Sequence, residues 1–425
     1  MINKLGVIFL WIAIVTTMLL FLLSKNHANQ QIAITWLFAS QFLSLIGVTL
    51  LAASFILSGR FRFIEVLFGG LDKMYKIHHI TGGVAFVLLL HHPIFLAVNA
   101  LPNISLGWKY LWFSNILSYN FGVAGIYLML LLLVLTFITN LPYHIWLKTH
   151  EYMGLALLLS SVHILTINSD VSRYLPLRYW IIALLILSSF SVIYRLFLRK
   201  IFKTSYKYSV SAIQRIGDVV EITMKPVDKK MSYSAGQFIF ATFKSLGNEP
   251  HPFSIASHSN SEEIVLGIKI LGDYTLNVKD VVAGEEVLIE GPFGMFNEPT
   301  IGEKDLIWIA GGIGITPFLG MLEDQKNRTD RKIDLFYCVK TQDDAIFEQK
   351  ILAKIANSTN INYWKFCSAD KGRISAEVLA SSVPDIKNRK IMLCGPTVMM
   401  ESLTKQLMKI GIKKRNIIFE DFNFK

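Results

Sequence analysis

The sequence predicts three parts in series: a six-helix transmembrane bundle, an antiparallel β-barrel and an α/β domain. Three observations carry this. Hydrophobic residues make up 52% of the 425, and the mean hydropathy of +0.45 exceeds that of an ordinary soluble chain. The excess is concentrated in the first half. After about residue 205 the texture becomes short alternating runs, and from Asp305 buried strands alternate with helices.

Six apolar stretches, 5–23, 32–57, 80–101, 121–138, 151–167 and 180–198, mostly approach the ~20 residues that a bilayer requires. The first follows Lys4 as a signal peptide would, but no small-x-small cleavage site comes after it, so it is read as a span. The fifth is short and polar in places, which fits a helix enclosed by others. Six spans put both termini on one side. Lys4, Arg60, Arg62, Lys73, Lys76, Lys148, Arg199, Lys200, Lys203 and Lys207 fall on that side, against Lys25, Lys109, Arg173 and Arg178 on the other. Positive charge collects in the cytoplasm, so the termini are expected there, in a plasma (inner) membrane. The net charge of +11 then reads as a belt facing the lipid bilayer, and no nucleic-acid-binding motif accompanies it. Cys338, Cys367 and Cys394 have the spacing of neither a zinc site nor a disulfide framework.

Beyond the last span, alternation places strands at 206–212, 219–224, 237–243, 264–270 and 286–290, separated by turns such as Gly217 and Gly272-Asp273. The following domain begins with a strand at 306–310, a glycine turn, a helix and a second strand at 332–339. The expected divisions are 1–203, 204–300 and 301–425.

Two of the apolar stretches share a histidine pattern. Lys76-Ile77-His78-His79-Ile80-Thr81-Gly82 continues to His91-His92-Pro93, and Lys148-Thr149-His150-Glu151-Tyr152-Met153-Gly154 continues to His163. Ionisable side chains in a bilayer are costly and usually functional. Two helices with a histidine near either end can clamp two haems, His78 with His150 and His92 with His163 supplying the axial imidazoles. From His78 to His92 is 14 residues, about 21 Å of rise and about 40° short of four turns, so both rings share a face. The 13 residues from His150 to His163 leave those rings about 140° apart on an ideal helix, which demands a local irregularity. His79 and His91 remain the competing ligands. Gly82 and Gly154 are read either as room for a flat macrocycle or as helix-packing positions.

In the strand region, His251-Pro252-Phe253-Ser254 offers an aromatic plane in Phe253, a hydroxyl in Ser254 and a strand stiffened by Pro252. Gly311-Gly312-Ile313-Gly314-Ile315-Thr316-Pro317 follows a buried strand and opens a helix. There glycines admit a pyrophosphate to backbone amides, and Pro317 suits the first helical turn. These runs resemble the ferredoxin–NADP reductase superfamily. The His-Pro-Phe-Ser form, set behind histidine-bearing membrane helices, is similar to that of ferric reductases and NADPH oxidases. The resemblance implies FAD, with Ser254 near flavin N5 and His251 helping to hold the cofactor. It implies that the segment with Lys269, Gly272 and Thr275 meets the flavin pyrophosphate. It also implies that Cys394-Gly395-Pro396 lies by the nicotinamide and that Phe422, or failing that Phe424, covers the flavin face. Glu290-Gly291-Pro292-Phe293-Gly294 is read mainly as a turn between domains.

The whole chain is thus expected to be a transmembrane oxidoreductase carrying electrons from NAD(P)H through FAD and two haem b groups to an external acceptor. Lys340 and Arg373 could receive a 2′-phosphate while Asp343 and Asp344 would repel one, which favours NADPH, with NADH as the other candidate. Lys25, Lys109, Arg173 and Arg178 against the single acid Asp170 suggest a positive outer rim that gathers anionic ferric chelates. The alternative acceptor is molecular oxygen, reduced to superoxide. The rival classes are a membrane haem sensor or carrier, which needs no nicotinamide domain, and a proton channel, which needs no iron.

Overall fold

The computed structural model describes residues 4–29, 32–139, 141–198, 205–247, 249–259, 261–297, 302, 304–326, 328 and 330–419. The chain divides near residue 202 into two compact units, one mainly of the preceding residues and one mainly of those that follow.

The first unit is helical. Its elements are α1 (Lys4–His27), α2 (Trp36–Ser58), α3 (Arg62–Phe68), α4 (Leu71–Asn99), α5 (Ile104–Leu111), α6 (Leu117–Phe137), α7 (Tyr143–Glu151), α8 (Met153–Thr166), α9 (Asp170–Arg173) and α10 (Leu175–Ile193). Among the described residues five helices, α1, α2, α4, α6 and α10, are long and apolar enough to cross a membrane. They also expose large apolar side chains such as Phe9, Trp11, Leu131 and Ile186, as lipid-facing surfaces do. The fifth expected span differs from the other five. Its 14-residue helix α8 rises only about 21 Å against a hydrocarbon core of about 30 Å. It is preceded by α7, and the two are separated at Tyr152, whose N–H reaches back to Thr149. The core of the unit joins α1, α2, α8 and α10 through Phe21, Leu45, Leu157 and Ile181.

The second unit opens with six antiparallel strands, β1 (Ser205–Ile216), β2 (Val219–Pro226), β3 (Phe238–Phe243), β4 (His251–Ser254), β5 (Ile264–Lys269) and β6 (Glu286–Phe293). Their order is β4-β3-β6-β1-β2-β5. The sheet curls so that its two edges touch at the bridge Ile255↔Leu266. Among the described residues no continuous ladder joins β4 to β5, and the expected barrel takes the form of this curled sheet. Pro252 has no N–H to offer a further ladder, as suits an edge strand. Alternate residues, among them Tyr208, Ile222, Phe243 and Ile289, fill the inside of the curl.

Five parallel strands follow: β7 (Leu306–Gly311), β8 (Ile333–Val339), β9 (Ile361–Cys367), β10 (Lys390–Cys394) and β11 (Ile417–Phe419), in the order β11-β10-β7-β8-β9. Both faces are covered, so β7 and β8 are buried along their whole length. Trp308, Leu335 and Tyr337 pack to one side, with Val219 of the curled sheet and Ala256 and Phe296 just beyond its strands, while Ile307, Ile309 and Phe336 pack to the other.

Candidate functional site

In the helical unit, α4 carries His78 and His92 within one uninterrupted helix. His150 lies on α7 and His163 on α8, so the break at Tyr152 falls between them. That break is the irregularity that the 13-residue spacing demands. The ring centroids of His78 and His150 are 6.2 Å apart, and those of His92 and His163 are 6.4 Å apart. With metal–nitrogen bonds of about 2.0 Å and centroids roughly 1.1 Å behind each nitrogen, two trans imidazoles on one ion are separated by about 6.2 Å. The pairs therefore fit an axially ligated haem iron. No group of three or more His, Cys, Asp or Glu among the described residues could hold a bare metal ion.

Hydrogen bonds select which ring nitrogen remains for a metal. Nδ1 of His78 donates to the Ser54 carbonyl at 2.9 Å, Nδ1 of His92 to that of Ser40 at 3.3 Å, and Nδ1 of His163 to that of Ser118 at 2.7 Å. Each of these rings keeps Nε2 as the ligating nitrogen. Among the described residues, Nδ1 of His150 is buried without a hydrogen-bond partner. Nδ1 of the competing His91 instead donates to the Val87 carbonyl of its own helix at 2.6 Å. A Cβ on Gly122 would stand 2.9 Å from Nδ1 of His163, so only glycine lets α6 admit that ring. Gly82 and Gly154 abut neighbouring helices: a Cβ there would meet Ser54 Oγ at 3.2 Å and Val192 Cγ1 at 2.9 Å respectively.

Beside the His92–His163 pair lies a cavity of about 380 Å³, lined largely by apolar side chains such as Leu89, Val123 and Ile126, with Gln41, Asp170 and Arg173 also at its wall. Lys25 corrects the expected positive rim. It is buried and pairs with Asp170 at 2.9 Å and Gln41 at 2.8 Å, so its charge is cancelled within the protein. Arg173 donates from Nε to Asn168 at 3.0 Å.

In the second unit, His251, Pro252, Phe253 and Ser254 form β4, all half-buried, with Ser254 opposite Phe238. The His251 ring stacks on Tyr274, centroids 3.4 Å apart. Burial lowers the pKa of His251, against an opposing pull from Glu249, and among the described residues its buried Nε2 has no hydrogen-bond partner. Burial pushes the Tyr274 hydroxyl up to about 12. A stacked aromatic pair with an unsatisfied ring nitrogen is a setting that a flavin cofactor fits. Sequence reasoning passed over Tyr274, which stands next to Thr275 with nothing local to announce the stack. Thr275 accepts from the Leu271 N–H at 2.6 Å and donates to the Gly272 carbonyl, while Lys269 pairs with Asp218 at 3.0 Å. Gly272 has a φ of +87° and open space where a Cβ would stand.

The nucleotide candidates meet at the C-terminal edge of the parallel sheet, where ligands bind in open α/β folds. Gly311 ends β7, with Gly312 and Gly314 just after it; Lys340 follows β8, Arg373 lies beyond β9, and Gly395 and Pro396 follow Cys394 at the end of β10. The two glycine segments interlock. A Cβ on Gly314 would lie 2.3 Å from the Cys394 carbonyl oxygen, and one on Gly395 would lie 3.0 Å from the Gly311 backbone. Gly312, at φ +54°, has nothing within 4 Å of that position, which leaves room for a close-lying ligand. Thr316 is buried, its hydroxyl donating to the Ile313 carbonyl at 3.0 Å, and Pro317 lies in the first turn of the helix Thr316–Gln325. Lys340 and Arg373 are exposed, and the Ala369 N–H donates to the Lys340 carbonyl, joining the two turns. Phe422 and Phe424 lie outside the described residues.

Comparison with known proteins matches a ferric reductase like transmembrane component to residues 43–161, an FAD-binding domain to 202–297 and an oxidoreductase NAD-binding domain to 308–405. Flavohemoprotein A of Dictyostelium discoideum is 25% identical over 233 residues, 49% of this chain and 58% of its own. Ferric reduction oxidase 8, mitochondrial, of Arabidopsis thaliana is 32% identical over 136 residues, 28% of this chain and 19% of that protein. This chain thus spans less than two thirds of these relatives' length. A flavohemoglobin structure from Malassezia yamatoensis, with bound FAD and heme, superposes with TM-score 0.53 over 90% of this chain and 96% of that one. Its 18% identity makes this a likeness of fold.

Proposed function

We propose, from the premise that the chain is a ferric-reductase-type transmembrane protein with FAD- and NAD-binding oxidoreductase domains, that it carries electrons from cytoplasmic NAD(P)H across a bilayer to a ferric chelate. The observation that carries this reading is the pair of histidine couples, 6.2 Å and 6.4 Å between centroids, at two levels of one helical bundle. When bound, FAD supplies hydride acceptance and single-electron release, and haem b supplies one-electron relay. His78 and His150 would hold the inner haem, and His92 and His163 the outer one. With an imidazole from each of His92 and His163 held against the iron, the outer haem would pass electrons to an acceptor that need not bind the metal. Gly311, Gly312 and Gly314 admit the nucleotide pyrophosphate, and Cys394, Gly395 and Pro396 border the nicotinamide. His251, Phe253, Ser254 and Thr275 would hold the flavin. Lys340 and Arg373 favour NADPH. The excess of Lys and Arg on the terminal side of the spans puts both catalytic domains in the cytoplasm.

A second acceptor, molecular oxygen, is favoured by one observation: Lys25 is neutralised by Asp170, which weakens the field that would gather an anionic chelate. NADPH consumption by the purified protein, measured with ferric citrate or with oxygen and superoxide dismutase, separates the two. Reduction of ferric citrate under argon supports the first. Oxygen-dependent turnover that ignores the chelate establishes the second, and a purified chain without a haem spectrum overturns both.

A further inference from the structure

We propose that Ser40 and Ser54 of α2 are positioning residues for the α4 histidines, each locking one ring and lowering the reduction potential of the haem at its own level. This rests on the bis-histidine reading above. The spacing carries the first part of the argument. Ser40 and Ser54 are 14 residues apart, as are His78 and His92, and the contacts run in reverse order, Ser40 with His92 and Ser54 with His78. Two antiparallel helices with equal near-four-turn spacings bring both pairs into register together.

The chemistry carries the second part. Ser54 Oγ lies 2.9 Å from Nδ1 of His78 and donates to the His78 carbonyl at 3.3 Å. Ser40 Oγ lies 2.8 Å from Nδ1 of His92 and donates to the His92 carbonyl at 2.9 Å. A hydroxyl has one proton. Spent on the histidine carbonyl, it leaves the oxygen lone pairs to accept Nδ1–H alongside the serine's own carbonyl. The ring is thereby held in the tautomer that frees Nε2. An acceptor drawing on Nδ1–H makes the imidazole a stronger donor, which favours ferric over ferrous iron and lowers the potential. Other hydroxyls of the bundle behave differently. Thr81, Ser161 and Ser191 donate to the carbonyl four residues back in their own helix, as ordinary buried hydroxyls do. Ser40 and Ser54, both buried, reach across to the neighbouring helix.

The test uses the full-length protein in detergent or nanodiscs, with Ser40→Ala, Ser54→Ala, the double variant and the two Ser→Thr variants. Haem is counted by pyridine haemochrome, midpoint potentials by spectroelectrochemical titration and ligand fields by electron paramagnetic resonance of the ferric state. Each alanine variant should retain two haems and raise the midpoint potential of one, a different one for each serine. The double variant should raise both, and threonine should restore the original value. Potentials and resonance signals unchanged in haem-replete alanine variants would overturn the proposal. So would both serines acting on the same haem, or a haem loss that threonine does not reverse. A wild-type protein that binds no haem fails instead at the bis-histidine reading.

Discussion

The ion pair between Lys25 and Asp170 links α1 to α9, 145 residues away, and its side chains are only 9% and 6% exposed. Replacing Asp170 with alanine would strand a buried ammonium. Breaking a buried pair by removing one partner costs roughly 3–5 kcal/mol. Gln41 remains at 2.8 Å to accept from Lys25, so the lower end applies, about 3 kcal/mol. For a unit of this size each kcal/mol moves the melting temperature by about 2–4 °C, so Asp170→Ala should lower it by roughly 6–12 °C. Removing both charges, Lys25→Met with Asp170→Leu, leaves nothing uncompensated and should recover most of the loss. Thermal unfolding of the detergent-solubilised protein, followed by tryptophan fluorescence, measures both. Because the pair presents no net charge, the double variant should also leave the salt dependence of ferric citrate reduction unchanged. An unaltered melting temperature in Asp170→Ala, or a double variant as unstable as the single one, would refute the reasoning.

Other outcomes can be checked alongside. His92→Ala or His163→Ala should each remove one of two haems by pyridine haemochrome, while His91→Ala keeps both, because His91 bonds within its own helix. Gly314→Ala drives a Cβ to 2.3 Å from the Cys394 carbonyl, so the two glycine segments must part. Nicotinamide KM should then rise by about tenfold or more, at a stability cost of about 1–3 kcal/mol. Asp344 is occupied, accepting from the Thr341 N–H and hydroxyl at 2.8 Å each, and these bonds hold its carboxyl below the ordinary range. Lys340→Ala should therefore raise KM for NADPH by about tenfold while sparing NADH, the worth of one charged contact. A strong wild-type preference for NADH in steady-state kinetics would contradict this. Burial holds His251 below its ordinary value of 6.5, so below that pH the unfolded chain binds more protons than the folded one. Its contribution is intact above pH 6.5 and lost as the pH falls below it. His251→Gln should accordingly flatten the acid limb of a denaturation profile.

What the sequence discloses here is whatever repeats over a short distance. The period-2 runs locate β1, β2, β3, β5 and β6 within a few residues, and the 14-residue spacing on α4 puts His78 and His92 on one face. Curling of the sheet is a property of edges that meet through Ile255 and Leu266, and no local period encodes it. The break at Tyr152 is written only faintly, in the polar run Lys148-Thr149-His150-Glu151, yet it lets two histidines 13 residues apart each face a partner on α4. The Lys25–Asp170 pair is invisible for another reason. A count of charges along the outer loops treats it as two separate side chains, whereas the fold makes it one neutral unit.

The serines of α2 lie between these cases. In an apolar span they resemble the many hydroxyls that bond their own helix, so composition gives no reason to single them out. The legible signal is relational: two serines at the same 14-residue interval as two histidines, on helices that run in opposite directions. Equal spacings on antiparallel helices keep both contacts only if neither helix drifts in phase between them. Pro93 inside α4 lies beyond His92 and so outside that interval. A bulge between His78 and His92 would break one contact while leaving the other, just as the break at Tyr152 resets the phase between His150 and His163. The straight pair, α2 with α4, can thus act as the fixed jaw that sets ring orientation, and α7 with α8 as the jaw that bends to meet it.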